Sequence, residues 1–286
     1  MSSLRAILIG DVVGDPGLDV LDRLLPSIIE ENSADFVVVN GENAAGGFGL
    51  TASHLEKIFV AGADVVTGGN HIWEKREFIP VLDTEERVLR PMNYPKDSPG
   101  KGWVQVEKPS SNGIPWLVVN LQGREFMTAL DCPFKAYDNF EAGLGGVALE
   151  MASLLTATGR LPDSLLEKPI ILVDFHAESP REKEALAYYL DGRADVVVGT
   201  HTHVQTADER ILPKGTAYIT DLGMTGVMDG VIGMDSKICT DRVRNQVLYR
   251  MEVAVPNGES STAVQGVIVE FDKKTRKAIT IKRIST

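Results

Sequence analysis

Five apolar runs in this chain end abruptly in side chains that ligate metals. In ADVVVGTHTHV the donors are His201 and His203. Residues two apart on a strand project to one face, so a pair at a strand tip is expected to reach neighbouring ions. The other runs are LRAILIGDVVG with Asp11, DFVVVNGEN with Glu42 and Asn43, VVTGGNH with Asn70 and His71, and PIILVDFHAE with Asp174 and His176. Carboxylates, amide oxygens and imidazoles without thiolates make a mixed N/O shell that suits a pair of transition metals. The chemistry this supports is hydrolysis at a binuclear centre. Each cluster also has a plainer reading: Asp11 as a helix cap, Glu42-Asn43 and Asn70-His71 as turns, His176 as hydrogen-bonded core. Only the His201/His203 pair favours function by itself, and the recurrence of the pattern tips the rest. The fifth histidine, His54, falls early in a helix and reads as solvated surface.

Such donors have to be gathered by the elements that precede them. LRAILIG reads as a strand, followed by a helix over about 18–29 with Pro16 near its start, where a missing N–H costs little. DFVVVN is a second strand, GENAAGGFG a glycine-rich loop, and Thr51 a cap for a helix to about residue 61, ahead of the strand ADVVTGG. Near-continuous Val, Ile and Leu runs mark strands covered on both faces, as in parallel sheets. Ligand-bearing loops at strand carboxyl ends are where open α/β sheets carry their sites. Residues 91–101 read as loop, and GWVQVEK and PWLVVNLQG flank Asn112-Gly113, a strong hairpin signal. Residues 123–145 are weakly periodic and suit a flap or insertion near the site, with a helix expected over 146–156. The tail segments VLYRMEVAV, VQGVIVEF and AITIKRI look like antiparallel strands joined by hairpins. With no repeat or linker, residues 1–286 are expected to form a single domain.

At 286 residues the chain can bury a large core, and no apolar run approaches the roughly 20 residues that would span a bilayer. MSSLRAILIGD flows directly into Asp11 without a cleavage site, so it reads as a first strand. Two cysteines outside any CxxC pair point away from a disulfide framework and towards a reducing cytoplasm. A net charge of −11 argues against a broad basic surface for nucleic acid. Bound cations would still let an acidic protein take a small phosphorylated substrate.

The order Asp11, Glu42-Asn43, GGNH (68–71), His176 and GTHTH (199–203) resembles the calcineurin-like metallophosphoesterases. More narrowly, GDVVGDPG, NGENAAGGFGL, GGNHIW, DFHAE, GTHTHVQTAD and ITDLGMTG are similar to the YmdB-type bacterial phosphodiesterase subfamily, from residue 8 to about residue 234. The resemblance implies an α/β fold, a layered α-β-β-α sandwich of two mixed sheets flanked by helices. The chain departs from the general superfamily pattern, which opens with Asp-x-His. Here Val12 and Val13 follow Asp11, Glu42 replaces a bridging Asp, and Asn43 supplies a neutral donor. In the subfamily these substitutions are the rule. Carried over by position, one metal takes Asp11, Asn43, His203 and one side of Glu42. The other takes the second side of Glu42 with Asn70, His176 and His201. Two divalent or mixed-valence ions are implied, iron or manganese favoured and zinc possible.

Two cations a few ångströms apart acidify a bridging water and clamp phosphoryl oxygens, so hydroxide attacks phosphorus in line with the leaving group. His71, beside Asn70 and without a metal of its own, is expected to protonate the leaving oxygen, a role typically worth ~10² to 10⁴ in rate. Asp174 or Asp221 is the candidate to support a ligating histidine from behind. The resemblance suggests a cyclic nucleotide of the 2′,3′- or 3′,5′-cyclic AMP type as substrate. The glycines of 44–49 and 223–226 suit close approach of a substrate. Arg124 and Phe126 suit phosphate contact and base stacking, or equally a salt bridge and core packing. Phe48, Ile72 and Trp73 are expected to be exposed, on a partner surface or pocket wall. A homo-oligomer is among the possible partners, whereas a membrane or an extended nucleic-acid surface is not expected. One rival reading is a metal-binding regulatory or scaffold protein with incidental hydrolysis. Another is amide or ester hydrolysis, against which the Asn-His pair and the bridging carboxylate stand.

Overall fold

In the computed structural model, which describes residues 3–111, 113–144, 168–258 and 261–286, alternation within single strands builds both sides of the fold. In β1 (Ser3–Ile9), Leu4, Ala6 and Leu8 enter one core while Ile7 and Ile9 enter another. The first sheet is ordered β15 (Ala278–Ser285), β14 (Gln265–Asp272), β1, β3 (Phe36–Asn40), β4 (Val65–Thr67), β5 (Val88–Leu89). β1, β3, β4 and β5 run parallel, and β14 joins β1 antiparallel, so the sheet is mixed. The second is ordered β10 (Arg210–Ile211), β11 (Ala217–Ile219), β9 (Val196–Thr200), β8 (Ile170–His176), β7 (Trp116–Gln122), β6 (Trp103–Val106). The sheets face each other across a core in which Phe36 of the first stacks flat on Trp116 of the second, centroids 4.9 Å apart.

Helices cover the outer faces. α1 (Gly14–Asn32), α2 (Ala52–Val60) and α3 (Ile79–Thr84) pack on the first sheet. α4 (133–144) and α5 (Pro180–Leu190) pack on the second, α4 through Tyr137 and Phe140. This is the α-β-β-α layering that the family resemblance implied. A small third sheet, β13 (Thr262–Ala263), β12 (Met224–Val227) and β2 (Asp11–Val12), with α6 (Ser236–Asn245), closes the end near Val13. Among the described residues no helix is long and apolar enough to cross a membrane.

Local signals hold to different degrees. Thr51 caps α2 as expected, its hydroxyl accepting from the His54 N–H. His54 does more than face solvent: its ring meets Thr51 Oγ1 at 2.6 Å and Asp15 Oδ1 at 3.1 Å, tying α2 to α1. β6 and β7 pair antiparallel, but their connection passes through a 3₁₀ turn at Pro109–Ser111 instead of a two-residue hairpin. The turn supplies Ser111 Oγ as acceptor for the buried Trp116 indole at 2.6 Å. β14 and β15 form the expected tail hairpin. VLYRMEVAV is not a strand: only Val253 forms a bridge, to Met234, and Leu248 and Val255 are exposed. Strand propensity expresses itself only where a neighbouring edge and a buried face are available. The helix expected over 146–156 lies outside the described residues. Phe48, Ile72 and Trp73 are not exposed as expected. Ile72 is fully buried, Trp73 donates its indole N–H to Pro99 O, and Phe48 packs against His71, because GGNHIW turns back into the core.

Candidate active site

Every predicted donor sits at or shortly beyond the carboxyl end of a strand. Gly10 lets Asp11 enter against Gly223, whose carbonyl oxygen would lie 2.2 Å from any Cβ at position 10. β3 runs on to Glu42 and Asn43, β4 to Asn70 and His71, and β8 ends at His176. Asp11, Glu42 and His176 are fully buried and Asn43 nearly so.

His201 and His203 are brought in by a different route from the one expected. β9 ends at Thr200, and both histidines occupy left-handed backbone, φ 99° and 64°, outside the strand. Strand alternation therefore does not aim them. The turn sends the rings apart: His201 Nδ1 lies 3.0 Å from His176 Nε2, and His203 Nε2 lies 3.2 Å from Asn43 Nδ2 and 3.6 Å from Asp11 Oδ1. Positive φ at two non-glycine residues is strain that clusters at functional sites.

All seven predicted metal donors come together. Asp11, Asn43 and His203 form one group, and Asn70, His176 and His201 the other. Glu42 lies between, with Oε1 3.2 Å from Asn43 Nδ2 and 2.9 Å from His176 Nε2. Asn70 Oδ1 completes the second group at 3.0 Å from His176 Nε2. Gly69 leaves no alternative residue there, since a Cβ would sit 2.3 Å from His176 Cδ2 and 2.4 Å from Glu42 Oε2.

The outer contacts decide which ring nitrogens face inward. Thr200 Oγ1 donates to Asp174 Oδ1 at 2.7 Å, so its oxygen is left to accept from His176 Nδ1–H at 3.0 Å. Ile232 O, which can only accept, takes His203 Nδ1–H at 2.9 Å. Glu178 faces His201 Nε2 at 3.2 Å. In the neutral tautomers these partners favour, His176 Nε2, His201 Nδ1, Glu42 Oε1 and Asn70 Oδ1 all present lone pairs to one another. Glu42, His176 and His201 offer ligand atoms within 4.8 Å of one another. Acceptors converging with no donor between them fit a metal ion. Asn43 turns its amide nitrogen inward, and rotating that amide by half a turn presents its oxygen instead.

Without metal, protons and ion pairs carry this load. Burial opposes charge on Asp11, but the His203 hydrogen bond and charge outweigh it and hold the carboxyl well below its usual range. Burial likewise opposes charge on Glu42, and His176 overcomes it, lowering the carboxyl. Burial would lower His203, yet Asp11 raises it to about 9. Burial and the neighbouring His176 depress His201 to about 4. Asp174 is pushed up to about 6 by burial, against hydrogen bonds from Thr67 and Thr200.

His71 stands apart from the donors. Its N–H donates to Glu42 Oε2 at 3.1 Å, while its part-exposed ring meets Glu74 Oε1 at 3.3 Å and lies edge-on to Phe48.

Several contributors escape sequence reasoning. Thr200 links Asp174 to His176, and Thr67 and Asn40 also donate to Asp174. Asp221 holds Thr202, the residue between the two histidines, at N (3.3 Å) and Oγ1 (2.8 Å), and pairs with Lys183 at 2.6 Å, both charges buried. Asp174 and Asp221, read as alternatives, thus support different histidines. The threonines of GTHTH were a visible signal, whereas nothing local marks Lys183. Gly223 serves close packing: its φ is positive, and a Cβ would lie 2.2 Å from Gln265 Oε1. Arg124 is bonded through its backbone N–H to Glu182 and through its guanidinium to Cys132 Sγ, and Phe126 is exposed, so among the described residues neither a salt bridge nor a core role describes them.

Residues 7–284 match the sequence model of the family described as YmdB-like protein. The chain belongs to the YmdB-like family. The resemblance carried by the motifs is therefore borne out. This YmdB-like chain is 43% identical over 281 residues to a Bacillus subtilis (strain 168) protein named 2′,3′-cyclic-nucleotide 2′-phosphodiesterase, covering 98% of this chain and 96% of that one. Among solved structures, a hypothetical protein from Thermus thermophilus matches at TM-score 0.81 and 35% identity, covering 99% of both chains. A phosphatase from Mycoplasma pneumoniae matches at TM-score 0.84 and 30% identity, covering 100% of this chain and 94% of that one.

Proposed function

We propose that this chain is a metal-dependent phosphodiesterase whose single domain holds two transition-metal ions, iron or manganese favoured and zinc possible, and hydrolyses a cyclic nucleotide of the 2′,3′- or 3′,5′-cyclic AMP type. Membership of the YmdB-like family and the name of the Bacillus subtilis relative support phosphodiester hydrolysis. The observation that carries the metal reading is Glu42, fully buried and touching both donor groups at once. Asp11, Asn43 and His203 would hold one ion, Asn70, His176 and His201 the other, and Glu42 both. Bound cations supply an acidified water and charge for the phosphoryl oxygens.

The remaining chemistry belongs to the chain's own groups. Thr200, Ile232 O and Glu178 keep the three imidazoles in the tautomers that face inward. Glu74 and Phe48 fix the His71 ring at the open side of the cluster, where it gives a proton to the leaving oxygen of the ester.

The test is metal analysis of protein purified without chelator, with hydrolysis of bis-p-nitrophenyl phosphate and 2′,3′-cyclic AMP by wild type, Glu42→Gln and His71→Ala. About two metals per chain, activity lost in both variants and metal retained in His71→Ala is the expected result. Metal bound without hydrolysis of either substrate would favour a regulatory or scaffold role. Full activity in Glu42→Gln would break the bridging assignment.

A further inference from the structure

One buried side chain on the donor-bearing face of the second sheet has a hydrogen-bonding end that nothing among the described residues uses. β7 pairs in parallel with β8, which puts Gln122 opposite His176. Trp116 and Val118 of β7 face the central core while Leu117, Val119 and Leu121 face the helices, so Gln122 projects to the side that carries Asp174 and His176. Gln122 is fully buried. Asn93 grips its backbone on both sides, accepting from Gln122 N and donating to Gln122 O, each at 2.9 Å. Tyr94 donates its hydroxyl to Oε1 at 3.1 Å. Among the described residues, Nε2 has no partner. A buried donor left unpaired costs folding free energy that a nearby acceptor would recover.

We propose that Gln122 is a specificity-determining residue, its Nε2 donating to an acceptor on the sugar or base of a nucleotide whose phosphate is held at the Glu42 cluster. The proposal rests on the phosphodiesterase reading. Adjacent strands lie ~4.8 Å apart, so the Gln122 and His176 backbones stand one strand spacing apart with both side chains on the central face. Beside Gln122 the wall carries aromatic rings, Tyr94 packing on Trp73 with centroids 4.5 Å apart. Such rings suit a nucleoside.

The experiment compares metal-loaded wild type with Gln122→Met, which keeps an unbranched side chain and removes the donor, and with Tyr94→Phe, which frees the amide from its anchor. Each is assayed on 2′,3′-cyclic AMP and on bis-p-nitrophenyl phosphate, which has no sugar or base. A loss of about 10- to 100-fold in kcat/KM on the cyclic nucleotide is expected for Gln122→Met, carried mainly by KM. Activity on bis-p-nitrophenyl phosphate should stay within about twofold and metal content should be unchanged. Tyr94→Phe should show the same selectivity at smaller size, and it decides the matter if Gln122→Met does not fold. Equal losses on both substrates, or none on either, would overturn the assignment. A wild type inactive on both substrates would instead sink the phosphodiesterase reading itself.

Discussion

Replacing Thr200 by valine removes one hydroxyl from the middle of a buried relay while keeping the branched shape. In the wild type that hydroxyl donates to Asp174 Oδ1 at 2.7 Å and accepts from His176 Nδ1 at 3.0 Å, and all three residues are buried. In Thr200→Val, His176 Nδ1–H is stranded and, among the described residues, Asp174 keeps only the bonds from Thr67 and Asn40 on Oδ2. A stranded buried polar group costs ~1–3 kcal/mol, so two of them lower stability by about 2–6 kcal/mol. The larger functional consequence concerns the ring. With no acceptor on Nδ1, His176 is no longer held in the tautomer that presents Nε2 to Glu42, and loss of such an outer partner typically costs ~10- to 100-fold in metal affinity. Urea unfolding of the metal-free proteins measures the first effect, and competition against a chelator measures the second. Thr200→Ser should recover most of both. A Thr200→Val protein within about 0.5 kcal/mol of wild type and with unchanged metal affinity would refute the relay.

Two other outcomes follow from buried charges. Lys183→Met leaves the Asp221 carboxylate, whose lysine partner stood 2.6 Å away, without a counter-charge in a site where both side chains are 1% exposed. Breaking such a pair costs ~3–5 kcal/mol. Since Asp221 also holds Thr202 between the two histidines, metal affinity should fall with stability, and a loss under about 1 kcal/mol in urea unfolding would show that the pair matters little. The metal-free protein should also lose stability as pH rises. Burial would lower His203, but Asp11 lifts it to about 9, above its unfolded value, so this contribution is fully present below pH ~6.5 and disappears as pH passes through about 9. Tm measured against pH on chelated protein should fall across that window and do so less in Asp11→Asn. A flat or rising Tm would exclude the ion pair as a stabilising element.

Donor chemistry and layering are legible in the residues themselves, because both depend on short-range pattern. Val, Ile and Leu at consecutive positions mean burial on both faces of a strand, and that alone implies sheets covered on each side. Runs that end in Asp11, Glu42-Asn43, Asn70-His71, His176 and the GTHTH pair disclose the kind of chemistry for the same reason, since each donor lies at a strand's end or within a few residues of it. Local pattern is silent where a position depends on partners distant in the chain. VLYRMEVAV has the composition of a strand, but among the described residues it pairs only through the Val253 bridge to Met234. Gln122 meets His176, and Asp221 meets Lys183, only through pairings and packing between separate elements. His201 and His203 make the division clearest. Their residue types and spacing announce ligands, yet they leave the strand in left-handed backbone and turn towards opposite groups. A two-residue period cannot encode that turn. It is held by Asp221 on Thr202, Glu178 on His201 and Ile232 on His203, contacts that exist only once the strand ends have been brought together.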